Sequence, residues 1–177
     1  MNTFTRRLHI LAILALFLAA CNFSDPRVQT DQKAVSSFVA YEDLLGRSLT
    51  DAVVVGFIGD HNCSSAGSFQ LCNESGIALW IDSAQIVDTV YLYLNNADGF
   101  VPYKGKLPLG LKYYDIMEAV EYKLKKQGVG QDGLPDEGSS PDHLHYWAVY
   151  EQAGVTIIYN SPFADGDATI YAILVNT

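Results

Sequence analysis

The sequence predicts an α+β fold: two similar helix-plus-antiparallel-sheet units in tandem, set behind a flexible N-terminal tether. Three observations predict it. A Leu-Gly step leads twice into a capped helical segment, at Leu45-Gly46 and at Leu109-Gly110. Each segment is followed by a polar loop rich in Gly and Ser. Each loop then gives way to two β-rich runs, the first opened by a glycine, at Gly76 and at Gly154. The boundaries this implies are 1–20, 21–37 for the tether, 38–98 for the first unit and 99–177 for the second.

Taken in order, Phe38, Val39, Tyr41, Leu44 and Leu45 share one face of a short helix. Thr50 to Ile58 forms the first longer helix, with Ser48 and Asp51 at capping-box spacing. Gly76 to Asp82 and Ile86 to Leu94 read as a hairpin. Asn96 to Pro108 links the units. In the second unit, Asp115 and Glu118 repeat the capping spacing, and Ile116, Val120 and Leu124 recur every four residues beside Met117. Gly128 to Pro141 is a long polar insertion. His145 to Glu151, Gly154 to Asn160 and Asp167 to Val175 are strands, with Asp165-Gly166 as the turn before the last.

The N-terminus carries its own signal. Arg6 and Arg7 precede an apolar run that ends in Leu18-Ala19-Ala20-Cys21. The clean run, from Ile10 to Ala20, is about half the roughly 20 residues that a membrane-spanning helix needs, and has the form of an export signal. Leu18-Ala19-Ala20-Cys21 resembles the lipobox of bacterial lipoproteins. That resemblance implies cleavage before Cys21, diacylglycerol and N-acyl lipid (palmitate-type chains) on Cys21, and a tether already lipidated where it begins. No other cofactor is expected. Asn22, in place of the Asp that retains such proteins at the inner membrane, favours an outer membrane facing the periplasm. In a single-membrane cell the expected place is the outer face.

The chain has 177 residues and a formal charge of −9. Removal of the signal leaves about 155 residues, enough for one good core or two small ones. An acidic chain without a basic stripe is not expected to bind nucleic acid. Cys63 and Cys72 form an even pair in an exported chain, which predicts a disulfide worth roughly 2.5–3 kcal/mol in the chain-entropy account. A metal or redox pair using His61 lacks the usual ligand spacing.

Two candidate sites follow. Asp142, His143 and His145 place an H-x-H beside a carboxylate, a set that suits zinc or another divalent ion if both histidines lie on one strand face. The same residues also make an ordinary acidic loop. The acidic groups of Asp132 to Glu137 and of Asp165 to Asp167 lack the ligand order of an EF-hand. No G-x-S-x-G is present to support a nucleophile. Tyr91, Tyr93, Tyr146, Trp147 and Tyr150 form an aromatic set suited to stacking a ligand or partner, although strand alternation sends half of such residues to a core.

The order of elements in Leu107 to Val175, together with the lipobox, resembles two families. One is the small outer-membrane lipoprotein of the β-barrel assembly machine, and the other the β-lactamase inhibitor protein with its tandem units. The insertion from Gly128 to Pro141 departs from the short Leu-Gly-x-Pro step usual after the helix. The resemblance implies a non-enzymatic, lipid-anchored interaction module of inhibitor, immunity or assembly type, with an envelope or secreted protein as partner. The alternative is a small metal-dependent hydrolase using Asp142, His143 and His145.

Overall fold

In a computed structural model that describes residues 40–130 and 135–177, eight strands form one antiparallel sheet. The lipobox, Cys21 and the tether lie outside the described residues, as does Asp132. The strands are β1 (Ser64–Ala66), β2 (Phe69–Cys72), β3 (Ile77–Ile81), β4 (Val87–Tyr93), β5 (Asp136–Ser139), β6 (Tyr146–Tyr150), β7 (Val155–Tyr159) and β8 (Ile170–Asn176). Their order is β1-β2-β3-β4-β8-β7-β6-β5. Two short helices accompany them, α1 (Ala52–Asp60) and α2 (Met117–Lys126).

This corrects the expected architecture. The chain does not build two tandem helix-plus-sheet units. It builds a single sheet, which dominates the fold, and the described residues fall within one compact unit. The physical reason lies in β8, which returns to pair with β4 from Thr89↔Asn176 to Tyr93↔Ala172. A four-strand meander in each half would leave β4 and β8 as bare edges, a standing liability for stray pairing. Joining them removes both edges and merges the two apolar faces into one core. The pairing crosses the boundary expected at residue 98.

The helices pack on one face of this sheet. Val54 and Phe57 of α1, and Met117, Val120 and Leu124 of α2, are buried with Ile77, Leu79, Val90, Leu92, Ile157 and Ile173. Tyr41 and Leu44 join them from a single turn at Tyr41–Asp43, where the sequence predicts a short helix. In α1 the cap is Asp51, whose carboxylate accepts the Val53 N–H at 2.8 Å. Ser48 instead bridges to Ile86.

The start of α2 is built differently from its sequence signature. Asp115 does not cap it. The Met117 and Glu118 N–H groups donate to the carbonyls of Ala168 (2.9 Å) and Gly166 (3.1 Å), so the β7–β8 connection satisfies donors that a side chain would otherwise take. Asp115 is 4% exposed and accepts the Lys112 N–H at 2.7 Å and the Lys123 Nζ at 2.6 Å. It pins the connection before α2 to the middle of the helix.

Two pairings fall where the sequence reads as polar loop. Ser64–Ala66 and Phe69–Cys72 form the hairpin β1–β2, and the disulfide Cys63–Cys72 closes it. Asp136–Ser139, inside the expected insertion, pairs with β6. β1 and β5 are the edge strands, short and poor in apolar residues, as edges tend to be. Between β2 and β3 a tight turn ends at Gly76 with φ +71°, a conformation suited to glycine.

Candidate interaction face

The register of the strands defines a second face, opposite the helices. One transverse row crosses all eight strands: Ser64, Leu71, Ala78, Tyr91, Leu174, Thr156, Val149 and Asp136. On one side of it runs Ala66, Phe69, Trp80, Thr89 and Asn176. On the other runs Tyr93, Ala172, Ile158, Trp147 and Gly138. None of these side chains belongs to the helix-covered core. The larger ones are half-buried or exposed, because only their neighbours on the sheet shelter them.

The aromatic residues are fitted to small ones. Ala78 lies opposite Tyr91 and Ala172 opposite Tyr93, and both alanines are fully covered. A Cβ added at Gly138 would stand 2.6 Å from Trp147 Cζ2, so the indole lies directly over that glycine. Phe69 and Tyr91 meet edge to face at 5.6 Å across β3. The result is a relief of rings and shallow dips. An antiparallel sheet with one solvated face normally alternates apolar and polar residues, and this one keeps large apolar groups in both phases.

One end of the face is closed by the connection after β4. Phe100 stacks on Tyr93 with ring centroids 4.1 Å apart, and the Tyr171 hydroxyl donates to Asp98 at 2.7 Å. Burial, with the Asp98 carboxylate next, raises the Tyr93 hydroxyl to about 12. Burial and then Asp88 raise that of Tyr91. For Tyr171, burial is followed by the Asp98 hydrogen bond and charge, and further by Asp142.

The aromatic set divides accordingly. Tyr91, Tyr93 and Trp147 lie on the second face, whereas Tyr146 and Tyr150 point into the core, 8% and 6% exposed. Phe69, Trp80, Ile158 and Leu174 belong to the face as well and escaped the sequence reading. Their signal was present: each alternates with core residues in a strand that has few polar positions.

Asp142, His143 and His145 are placed in the tight turn that joins β5 to β6. The Ser140 hydroxyl donates to Asp142, whose carboxylate also accepts the Leu144 N–H at 3.1 Å. These bonds, the Ser140 hydroxyl first, hold the Asp142 carboxyl below its usual range. His143 sits in this turn with φ +56°, not in a strand, so the two histidines do not share a strand face. The His145 ring packs on Tyr171 at 4.1 Å. Among the described residues, no group of three or more His, Cys, Asp or Glu side chains comes together as a metal site.

A separate cleft of about 340 Å³ lies beyond α1, lined by Phe57, His61, Glu74, Tyr103 and Lys104 among others. The His61 ring there rests on Phe57 at 4.5 Å. Among the described residues no helix is long and apolar enough to cross a membrane. Comparison with protein-family models, with curated proteins and with solved structures found no match to the chain.

Proposed function

We propose that this protein is a lipid-anchored, non-enzymatic interaction module of the cell envelope that docks a partner protein on the second face of its sheet. The observation that carries the reading is that face itself: Phe69, Leu71, Trp80, Tyr91, Trp147, Ile158 and Leu174 lie together with no helix over them among the described residues. Contiguous apolar patches of this kind mark interaction surfaces, and Trp and Tyr are the residues that most often anchor them. The lipobox and the element order of the second half support the envelope setting and the inhibitor, immunity or assembly class. Cys21 is the attachment point in this reading, and the partner is an envelope or secreted protein.

The test is capture from detergent-solubilised envelopes with four proteins: wild type, Trp80→Ala, Trp147→Ala, and Tyr122→Ala on α2. Tyr122 is 68% exposed and lies on the helix side. A protein held by wild type and Tyr122→Ala, but weakened about thirtyfold or more by each tryptophan change, supports the reading; that loss corresponds to a hot-spot energy of about 2 kcal/mol. Retention by both tryptophan variants would remove the face as the docking surface. For the anchor, Cys21→Ser must release the protein from the membrane fraction.

A further inference from the structure

The basic residues of the described chain lie on one side of the sheet, whereas its acids lie on both. From Ser48 to Tyr103 there is no Lys or Arg, yet there are Asp51, Asp60, Glu74, Asp82, Asp88 and Asp98. From Gln127 to Thr177 there is again none, against Asp132, Asp136, Glu137, Asp142, Glu151, Asp165 and Asp167. All eight strands and their hairpin turns fall within these two spans. The basic residues of the described chain are Arg47, Lys104, Lys106, Lys112, Lys123, Lys125 and Lys126.

Those basic residues sit in the helical layer. Lys123, Lys125 and Lys126 are in α2. Lys104, Lys106 and Lys112 lie in the connection whose Tyr103, Leu107 and Leu111 pack into the helix-covered core. Arg47 lies between Leu44 and Leu49 of that core and pairs with Asp51 at 3.2 Å. Among the described residues, the second face therefore carries aromatic rings and carboxylates but no lysine or arginine.

Four carboxylates border it. Asp136 ends the central row. Asp88 sits at the bulge of β4 and accepts the Thr89 hydroxyl at 2.9 Å. Asp98 and Asp142 stand at the Tyr171 end, one bonded to the Tyr171 hydroxyl and the other in the turn that brings His145 onto that ring.

Resting on the docking reading above, we infer that the occupant of this face is a basic protein surface, with arginine or lysine side chains set over the rings and between Asp88 and Asp136. Rings present a negative face to a cation, and the flanking carboxylates complete the charge match. An acidic or neutral partner would leave these carboxylates opposite like charge or desolvated without a partner, which opposes binding. A second copy is disfavoured face to face for the same reason.

Both tryptophans of the chain, Trp80 and Trp147, lie on this face, so its occupancy is read directly from intrinsic fluorescence. The probe is a 15-residue Arg/Leu/Gly peptide without aromatic residues, compared with a Glu/Leu/Gly counterpart and titrated at several salt concentrations. The inference expects the cationic peptide to change the emission and to weaken as salt rises, with no response to the acidic one. Asp88→Asn with Asp136→Asn should lower affinity about three- to tenfold. Circular dichroism confirms that these variants fold. Equal binding of the two peptides, no response to either, or indifference to the Asp changes overturns the inference. So does concentration-dependent self-association in sedimentation velocity that displaces the peptide, since the occupant would then be a second copy. The docking reading fails separately, on envelope capture that ignores the tryptophan changes.

Discussion

Gly138→Ala tests the geometry of the face with one methyl group. Gly138 pairs with Trp147, and the new Cβ would stand 2.6 Å from Cζ2, 2.9 Å from Cε2 and 3.3 Å from Cη2 of the indole. Carbon atoms rest at about 3.5–4.0 Å, so the ring must retreat by about 1 Å at Cζ2 and by less at Cε2 and Cη2. The backbone offers no resistance: Gly138 is not among the positive-φ glycines, and alanine there gains about 0.5–1 kcal/mol over glycine. Overpacking costs about 1–3 kcal/mol in a closed core. Trp147 is only half-buried and free to tilt away from β5, which keeps the net destabilisation to about 0–2 kcal/mol. Function should suffer more than stability, since the displaced indole no longer matches a partner fitted to it. The assay uses a Trp80→Phe background, leaving Trp147 as the sole tryptophan, selectively excited at long wavelength, with thermal melts and partner capture alongside. The expected result is a red-shifted emission, a small change in Tm and weakened capture. Unchanged emission and capture would refute the seating of Trp147 over Gly138.

Three further outcomes are expected. Gly76→Ala combines a φ of +71° with a Cβ 2.5 Å from the Val101 carbonyl oxygen, and backbone on both sides leaves nothing to yield; equilibrium unfolding should show a loss above about 3 kcal/mol, or no folded protein. Asp115→Ala strips Lys123 and the Lys112 N–H of their acceptor. Lys123 is 31% exposed and partly rehydrates, so the loss should be about 2–3 kcal/mol, read as a fall in Tm of about 5–10 °C. The hydroxyls of Tyr93, Tyr103 and Tyr150 are each raised to about 12, chiefly by burial. Because the folded state favours their neutral form, the stability they contribute is full below the unfolded value of about 10 and is lost as pH climbs through 12. Absorbance at 295 nm should show a late tyrosine titration that coincides with alkaline unfolding.

How much of this was legible depends on where each element draws its stability. The strands β3, β4, β6, β7 and β8 are continuous β-branched and aromatic runs, and their positions follow from the sequence to within a few residues. So does α2, because Met117, Val120 and Leu124 recur at helical spacing. The strands β1 and β5 were not legible. Ser64-Ser65-Ala66 and Asp136-Glu137-Gly138-Ser139 have little β propensity, and their pairing is imposed by a neighbour already in place. The single sheet was not legible either, since no local pattern tells β8 to return to β4 across most of the chain.

The candidate face was half legible, and the reason is a matter of phase. In β6, Tyr146-Trp147-Ala148-Val149-Tyr150 is apolar at every position, so the run alone does not say which residues face the core. The register resolves it: Tyr146, Ala148 and Tyr150 pair along the helix-covered side, while Trp147 and Val149 pair with Ile158 and Thr156 on the other. An apolar residue in the second phase of one strand is unremarkable. When Leu71, Tyr91, Leu174 and Val149 occupy that phase in one row, and no Lys or Arg interrupts the strands, the pattern is no longer what a merely solvated sheet requires. On the docking reading proposed above, the excess of apolar second-phase residues is the surface an occupant would cover. On the same reading, the segregation of every described basic residue to the helical layer favours a basic occupant.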